Sequence, residues 1–157
     1  MRYIEALEEF EPDGENGYSG WTPSIFLAGG ITGCSDWQQE LTEQLNNEKV
    51  ILLNPRRKNF PVEDPDAAYE QIKWEYDHLR KATAISFWFP KETMCPIVLF
   101  ELGTWVVSKK TIFVGLDREY KREQDVKIQT VLARGDTAFC YSIEVLSQQI
   151  KKFLRKV

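Results

Sequence analysis

The sequence has little of what metal centres, disulfide frameworks and histidine-based catalysis require. Its 157 residues include three cysteines and one histidine. Cys34, Cys95 and Cys140 are odd in number and far apart, so the spacing indicates neither a disulfide framework nor a zinc site. The single histidine, His78, has no marked nucleophile as a partner, and we interpret it as structural. We expect no metal and no cofactor.

The chain also lacks an excess of positive charge and a long apolar stretch. The net charge is −4, which argues against nucleic acid as a general partner. No apolar run is long enough to span a bilayer, and no signal peptide is recognisable. The expectation is a soluble, cytoplasmic protein with neither a membrane nor a nucleic-acid partner.

Short apolar runs alternate with segments of helical periodicity from residue 24 onward, which is typical of βαβ units. Strands are predicted at 24–28, 49–54, 84–89, 111–115 and 137–140, and helices at 36–46, 69–83, 96–108, 123–133 and 142–156. We predict a single domain over residues 1–157, in which residues 1–23 form an N-terminal arm or an extra edge element. The simplest fold is a flavodoxin-like (Rossmann-like) doubly wound α/β sheet of five parallel strands in the order 2-1-3-4-5, with helices on both faces.

Glu101 is the most informative side chain, because it is the only charged residue in the apolar run 96–107. A carboxylate in such surroundings loses hydration, which is costly unless the group is paired, protonated or used in chemistry. A structural ion pair or a wet helix edge would also explain it.

Ligands of such a sheet bind beyond the carboxyl ends of the strands, at the switch point between the first and third strands. This rule selects the loop 29–36, which begins with Gly29 and Gly30 and ends at Asp36. It also selects the loop after the third strand, where Trp88 either stacks on a ligand or belongs to the core.

The loop after the second strand contributes Asn54 and Arg56 to the same edge. Arg56 is a candidate for binding a hydroxyl or a phosphate, or for pairing with a carboxylate. On the next helix, Asp77 is a second carboxylate of interest. Because Lys73 and Lys81 lie four residues away on either side, a surface ion pair is the alternative interpretation.

The chain resembles the nucleoside 2-deoxyribosyltransferases, in particular the branch of that superfamily with a Pro-Arg-Arg loop. The residues that carry the resemblance come in the family's order and cover roughly residues 24 to 116. They are Ile25-Phe26-Leu27-Ala28-Gly29-Gly30-Ile31, Asn54-Pro55-Arg56-Arg57, Trp74-Glu75-Tyr76-Asp77-His78-Leu79 with Ile85-Ser86-Phe87-Trp88, and Phe100-Glu101-Leu102-Gly103.

The resemblance implies roles for particular residues. Glu101 matches the family's nucleophile, Asp77 an aspartate with acid–base and positioning work, and Gly29, Gly30 and Ile31 the segment that lines the nucleobase pocket. It further implies salvage chemistry on deoxynucleosides and nucleobases, through a covalent deoxyribosyl–Glu intermediate and with hydrolysis as a side reaction. The expected enzyme is a homo-oligomer whose subunits share active sites.

Two other functions remain open from the sequence. A nucleoside 5′-monophosphate N-glycosidase would use Arg56 and Arg57 to bind a phosphate. A non-catalytic nucleotide sensor could use the same fold, since fold does not determine function.

Overall fold

Six parallel strands form one sheet in the computed structural model, which describes residues 1–12, 21–58, 65–135 and 137–157. The strands are β1 (Arg2–Glu5), β2 (Ser24–Gly29), β3 (Ile51–Asn54), β4 (Ala84–Phe89), β5 (Thr111–Leu116) and β6 (Phe139–Cys140). Their spatial order is β1-β3-β2-β4-β5-β6. All neighbouring pairs are parallel, as the continuous apolar strands predict.

The prediction of five strands is wrong, because β1 adds a sixth at the edge beside β3. Its sequence, Arg2-Tyr3-Ile4-Glu5, has a charged residue at each end, and of its four residues only Ile4 is buried in the core. A short strand with charged ends suits the edge of a sheet. The other strands keep the predicted relative order, so the difference in count and order is this added strand. Of the predicted arm, residues 13–20 lie outside the described part of the chain.

The described part of the chain contains five helices, of which four connect successive strands and the last follows β6. They are α1 (Trp37–Gln44), α2 (Pro65–Lys81), α3 (Pro96–Val106), α4 (Glu123–Arg134) and α5 (Ile143–Leu154). Asp36 caps α1 by accepting a hydrogen bond from the backbone N–H of Gln39, which is the role expected of an N-cap carboxylate. No helix in the described part of the chain is both long and apolar enough to cross a membrane.

The apolar side chains of the strands point alternately to two faces of the sheet, and each face is covered by helices. Phe26 and Ala28 pack with residues of α2, α3 and α4, while Ile25 and Leu27 pack with residues of α1 and α5. This alternation follows from the two-residue repeat of a strand. The predicted strands and helices therefore form a doubly covered α/β sheet.

The helical spacing of Tyr69, Ile72, Tyr76, Leu79 and Thr83 predicts that they form one buried face of the helix predicted at 69–83, and this prediction is wrong for most of its apolar members in α2. Tyr69, Ile72 and Tyr76 are 69%, 65% and 54% exposed, whereas Leu79 is buried as expected. The face that packs on the sheet instead includes Trp74 and His78, whose rings stack with centroids 4.0 Å apart. Helical periodicity indicates which residues share a face. Because two faces of α2 carry apolar residues, periodicity alone does not indicate which of them packs on the sheet.

Candidate active site

A cavity of about 270 Å³ lies beyond the carboxyl ends of β2, β3 and β4. The cavity is lined by the loop after β2, by Pro55 in the loop after β3, and by residues of the segment 93–98, which includes the first turn of α3. Both carboxylates that face this cavity, Glu75 and Glu101, come from helices. The cavity is at the edge of the sheet that the switch-point rule selects.

Gly29 and Gly30 line the cavity, and each is a glycine because another part of the protein lies where a side chain would be. A Cβ on Gly29 would be 2.6 Å from the Trp88 carbonyl oxygen and 2.4 Å from the Trp37 ring. A Cβ on Gly30 would be 2.6 Å from the Pro90 ring. The glycines therefore let the loops after β2 and β4 pack closely. Ile31, which follows them, lines the cavity with its side chain half-buried.

An open groove of about 580 Å³ runs between α2 and α3 and meets the cavity at the two carboxylates. We call it the α2–α3 groove; its lining is dominated by Ile72, Tyr76, Ile97, Phe100 and Trp105. Ile97 and Phe100 are 65% and 76% exposed. Glu75 and Glu101 line both the cavity and the groove, so they lie at the junction of a small pocket with a large apolar surface.

Glu101 lies in the second turn of α3, where the helix N-terminus gives little stabilisation to a negative charge. Burial and, to a smaller extent, the negative charge of Glu75 together raise the pKa of its carboxyl to about 8. The Glu101 carboxyl therefore gains and loses its proton near neutral pH, and not in the acidic range that is ordinary for a glutamate.

Glu75 is the second carboxylate of the site, and the sequence analysis did not select it. Burial raises the pKa of Glu75, while a hydrogen bond from the side chain of Gln71 opposes that rise. One signal in the sequence could have identified it: Glu75 lies four residues before the apolar Leu79, on the same side of the predicted helix. Two carboxylates with raised pKa values at one cavity are typical of acid–base chemistry.

Asp77 lies on a different side of α2 and lines neither the cavity nor the α2–α3 groove. Its carboxylate accepts a hydrogen bond from the Lys73 ammonium at 2.5 Å, and this bond is the main cause that lowers the Asp77 pKa. Turning by two residues along a helix moves a side chain by about 200°, so Asp77 cannot share the direction of Glu75. The carboxylate of α2 that lines the cavity together with Glu101 is therefore Glu75 and not Asp77.

Arg56 holds the loop after β2 in place. Its guanidinium donates hydrogen bonds to the Gln38 side chain at 3.0 Å, to the Ser35 carbonyl at 3.0 Å and to the Gly30 carbonyl at 3.4 Å. It also forms an ion pair with Asp36 at 3.3 Å. Arg56 and Asp36 do not line the cavity, so they support the loop rather than contact a ligand in this arrangement.

Asn54 and Trp88 likewise have structural surroundings. The buried Asn54 side chain donates a hydrogen bond to the Tyr3 hydroxyl and accepts one from the backbone N–H of Arg56. These two bonds join β1 to the loop after β3. Trp88 is 6% exposed and packs in the core beside Trp37 and Gly115. Of the two interpretations of Trp88, the core position agrees with the structure.

Of the residues selected from the sequence, the structure brings Glu101, Gly29, Gly30 and Ile31 together. Thr93 and Cys95, which the sequence analysis did not select, also line the cavity. Cys95 precedes α3 with a left-handed backbone conformation (φ 48°), and burial raises the pKa of its thiol to about 11. Within the described residues, no group of three or more His, Cys, Asp or Glu side chains is placed to hold a metal ion.

These features define the class of the protein: an α/β protein with a parallel sheet and a pair of half-buried carboxylates at the carboxyl ends of its strands. A family described as nucleoside 2-deoxyribosyltransferase-like matches residues 22–120, and the chain belongs to that family. The matched range contains β2 to β5 and both carboxylates. A comparison with curated proteins found no match.

Proposed function

We propose that the protein is a nucleoside 2-deoxyribosyltransferase that uses Glu101 as its nucleophile and Glu75 as its acid and base. The observation that carries the proposal is the pair of half-buried carboxylates at one cavity, Glu101 with a pKa of about 8 and Glu75 with a raised pKa. Family membership over residues 22–120 supports the same reaction class.

Breaking an N-glycosidic bond creates positive charge on the anomeric carbon of the sugar and negative charge on the leaving base. An ionised Glu101 stabilises the first charge and forms a bond to C1′, while a protonated Glu75 gives its proton to the base. Because its pKa is about 8, the Glu101 carboxyl retains its proton near neutral pH in the free protein. The reaction therefore requires this proton to move to Glu75 once the substrate is bound, which leaves Glu101 as the free carboxylate.

The second half of the reaction reverses the first with a different base. An incoming nucleobase attacks C1′ of the glycosyl ester, its N–H proton returns to Glu75, and Glu101 leaves as a carboxylate. Two displacements at C1′ retain its configuration. Water in place of the base would give the free sugar, which is the hydrolytic side reaction.

The cavity lining favours a neutral nucleoside over its 5′-monophosphate. Among the described residues that line the cavity, there is no lysine or arginine, and two are carboxylates. A phosphate would be repelled by that charge. Arg56, one of the two arginines expected to bind a phosphate, donates hydrogen bonds to the loop after β2 instead.

The first test is product analysis after incubation with 2′-deoxyinosine, with and without adenine. We expect deoxyadenosine and hypoxanthine when both are present, because adenine captures the glycosyl ester. Deoxyinosine 5′-monophosphate is the matched comparison and should react more slowly. Faster release of base from the monophosphate would favour the N-glycosidase instead, and binding of either compound without turnover would favour a sensor.

We also propose that the protein is a homo-oligomer in which a second copy covers the α2–α3 groove. The groove exposes Tyr76, Ile97 and Phe100, and it opens directly onto the two carboxylates. A contiguous apolar surface of this kind is typical of a protein interface. Covering it would exclude water from Glu101 and reduce the hydrolytic side reaction.

Sedimentation velocity tests this interface. We expect the wild type to sediment as a dimer or larger species at micromolar concentration, and Phe100→Ser to sediment as a smaller species with increased hydrolysis relative to transfer. Leu132→Ser is the matched control, because Leu132 is similarly exposed (78%) but lies on α4, outside the groove. A monomeric wild type, or the same change in both variants, would contradict the proposal.

A further inference from the structure

Gln71 connects one carboxylate of the site to the loop that follows β3. Its side-chain amide donates hydrogen bonds to the Pro55 carbonyl at 2.8 Å and to Oε1 of Glu75 at 2.7 Å. Gln71 is 8% exposed, and it lies one turn before Glu75 on α2. It is therefore a buried polar side chain with both of its donors directed at defined acceptors.

The chemistry of the acceptors determines which way the amide points. A peptide carbonyl and a carboxylate accept hydrogen bonds, so the Gln71 nitrogen, with its two hydrogens, must face both. The Gln71 oxygen is then directed away, and it is buried without a hydrogen-bond partner. Leaving a buried acceptor unpaired is costly, which indicates that the orientation is maintained by the two donated bonds.

Pro55 is itself part of the cavity lining, and it immediately precedes Arg56. Gln71 thus joins Glu75 to the same segment whose arginine holds the Gly30 carbonyl. We propose that Gln71 is a positioning residue, which fixes the Glu75 carboxylate at the junction of the cavity and the α2–α3 groove by tying it to the Pro55 carbonyl. This inference rests on the proposed function, because it assigns Gln71 a role in the acid–base work of Glu75.

The link also affects how strongly Glu75 holds a proton. An N–H donor stabilises the ionised carboxylate, so the Gln71 bond lowers the Glu75 pKa against the effect of burial. Two other charged groups face this region: Glu101 from α3, and Arg80, which lines the groove from α2. Gln71 therefore favours release of the proton from Glu75, which is the step that neutralises the leaving base.

The test compares the wild type with Gln71→Met, which keeps an unbranched side chain of similar length but donates no hydrogen bond. Proteins labelled with ¹³C at the glutamate carboxyl carbon are titrated by NMR, with Glu75→Gln used to assign the signal. We expect the Glu75 titration midpoint to move upward in Gln71→Met. In transferase assays, kcat should fall about ten- to hundredfold because Glu75 loses its fixed position, and the alkaline limb of the pH profile should move upward.

Two further variants make the result specific. Gln71→Asn retains an amide that is too short to reach both acceptors, and it should repeat the effect if Gln71→Met folds poorly. Thr130→Val removes a buried polar group from α4, away from both carboxylates, and should change neither titration nor kinetics.

Different results would refute the positioning role of Gln71 and the proposed transferase function. A Glu75 titration that is unchanged in a folded Gln71 variant refutes the positioning role, whether or not the wild type turns over. An unchanged kcat and pH profile in an active enzyme refutes it as well. A shifted titration in a protein without any turnover would preserve the link and refute the proposed function.

Discussion

Glu101→Gln is expected to reduce transferase activity on the order of 10³-fold or more, with little change in the fold. Glutamine has nearly the same shape as glutamate, but its amide cannot form the glycosyl ester at C1′. It also carries no charge to stabilise the developing cation. Initial rates of deoxyadenosine formation from 2′-deoxyinosine and adenine measure the effect, and circular dichroism with thermal unfolding checks the fold.

The stability measurement separates a catalytic loss from a folding defect. Removing the charge of Glu101 relieves both its burial cost and its repulsion with Glu75, so the variant should unfold at the same or a higher temperature above neutral pH. Glu70→Gln is the matched control, since Glu70 is an exposed carboxylate on α2. Near-wild-type turnover by Glu101→Gln would show that Glu101 is not the nucleophile.

Much of the fold follows from the sequence because parallel strands are buried on both faces and so read as short apolar runs. The run at Ala84–Phe89 is a strand with the predicted bounds. Strand β1 was harder to recognise, because Arg2–Glu5 is short, lies at the edge and has charged residues. It pairs with residues of β3 about 50 positions away in the chain, and local periodicity does not indicate such a distant pairing.

The site was only partly predictable for a similar reason. Glu101 is visible as a charge in an apolar run, whereas Glu75 is one of several charged residues on a mixed helix. Which of Glu75 and Asp77 faces the cavity depends on the rotation of α2 about its axis. That rotation is determined by the packing of Trp74, Leu79 and Ala82 on the sheet, which the periodicity of the helix alone does not reveal. The same rotation exposes Tyr76 in the groove.

Stability should fall as the pH rises from about 5 to 8, and Glu101 should account for a large part of the slope. The Glu101 pKa is about 8 in the folded protein, against an ordinary value of 4.5. Below 4.5 the carboxyl is protonated in both the folded and the unfolded state, so the stabilising effect of the buried neutral group is fully present. Between these values only the folded state keeps the proton, and the free energy of unfolding decreases by up to about 1.4 kcal/mol per pH unit.

Urea unfolding at several pH values tests this dependence. Because glutamine does not titrate, Glu101→Gln should show a shallower decline than the wild type, with the two curves diverging most between pH 5 and 8. The exposed control Glu70→Gln should keep the wild-type slope. Parallel curves for the wild type and Glu101→Gln would mean that Glu101 is solvated in the folded protein. The second copy proposed over the α2–α3 groove would then not exclude water from Glu101, and the selection of Glu101 as the nucleophile would rest on family membership alone.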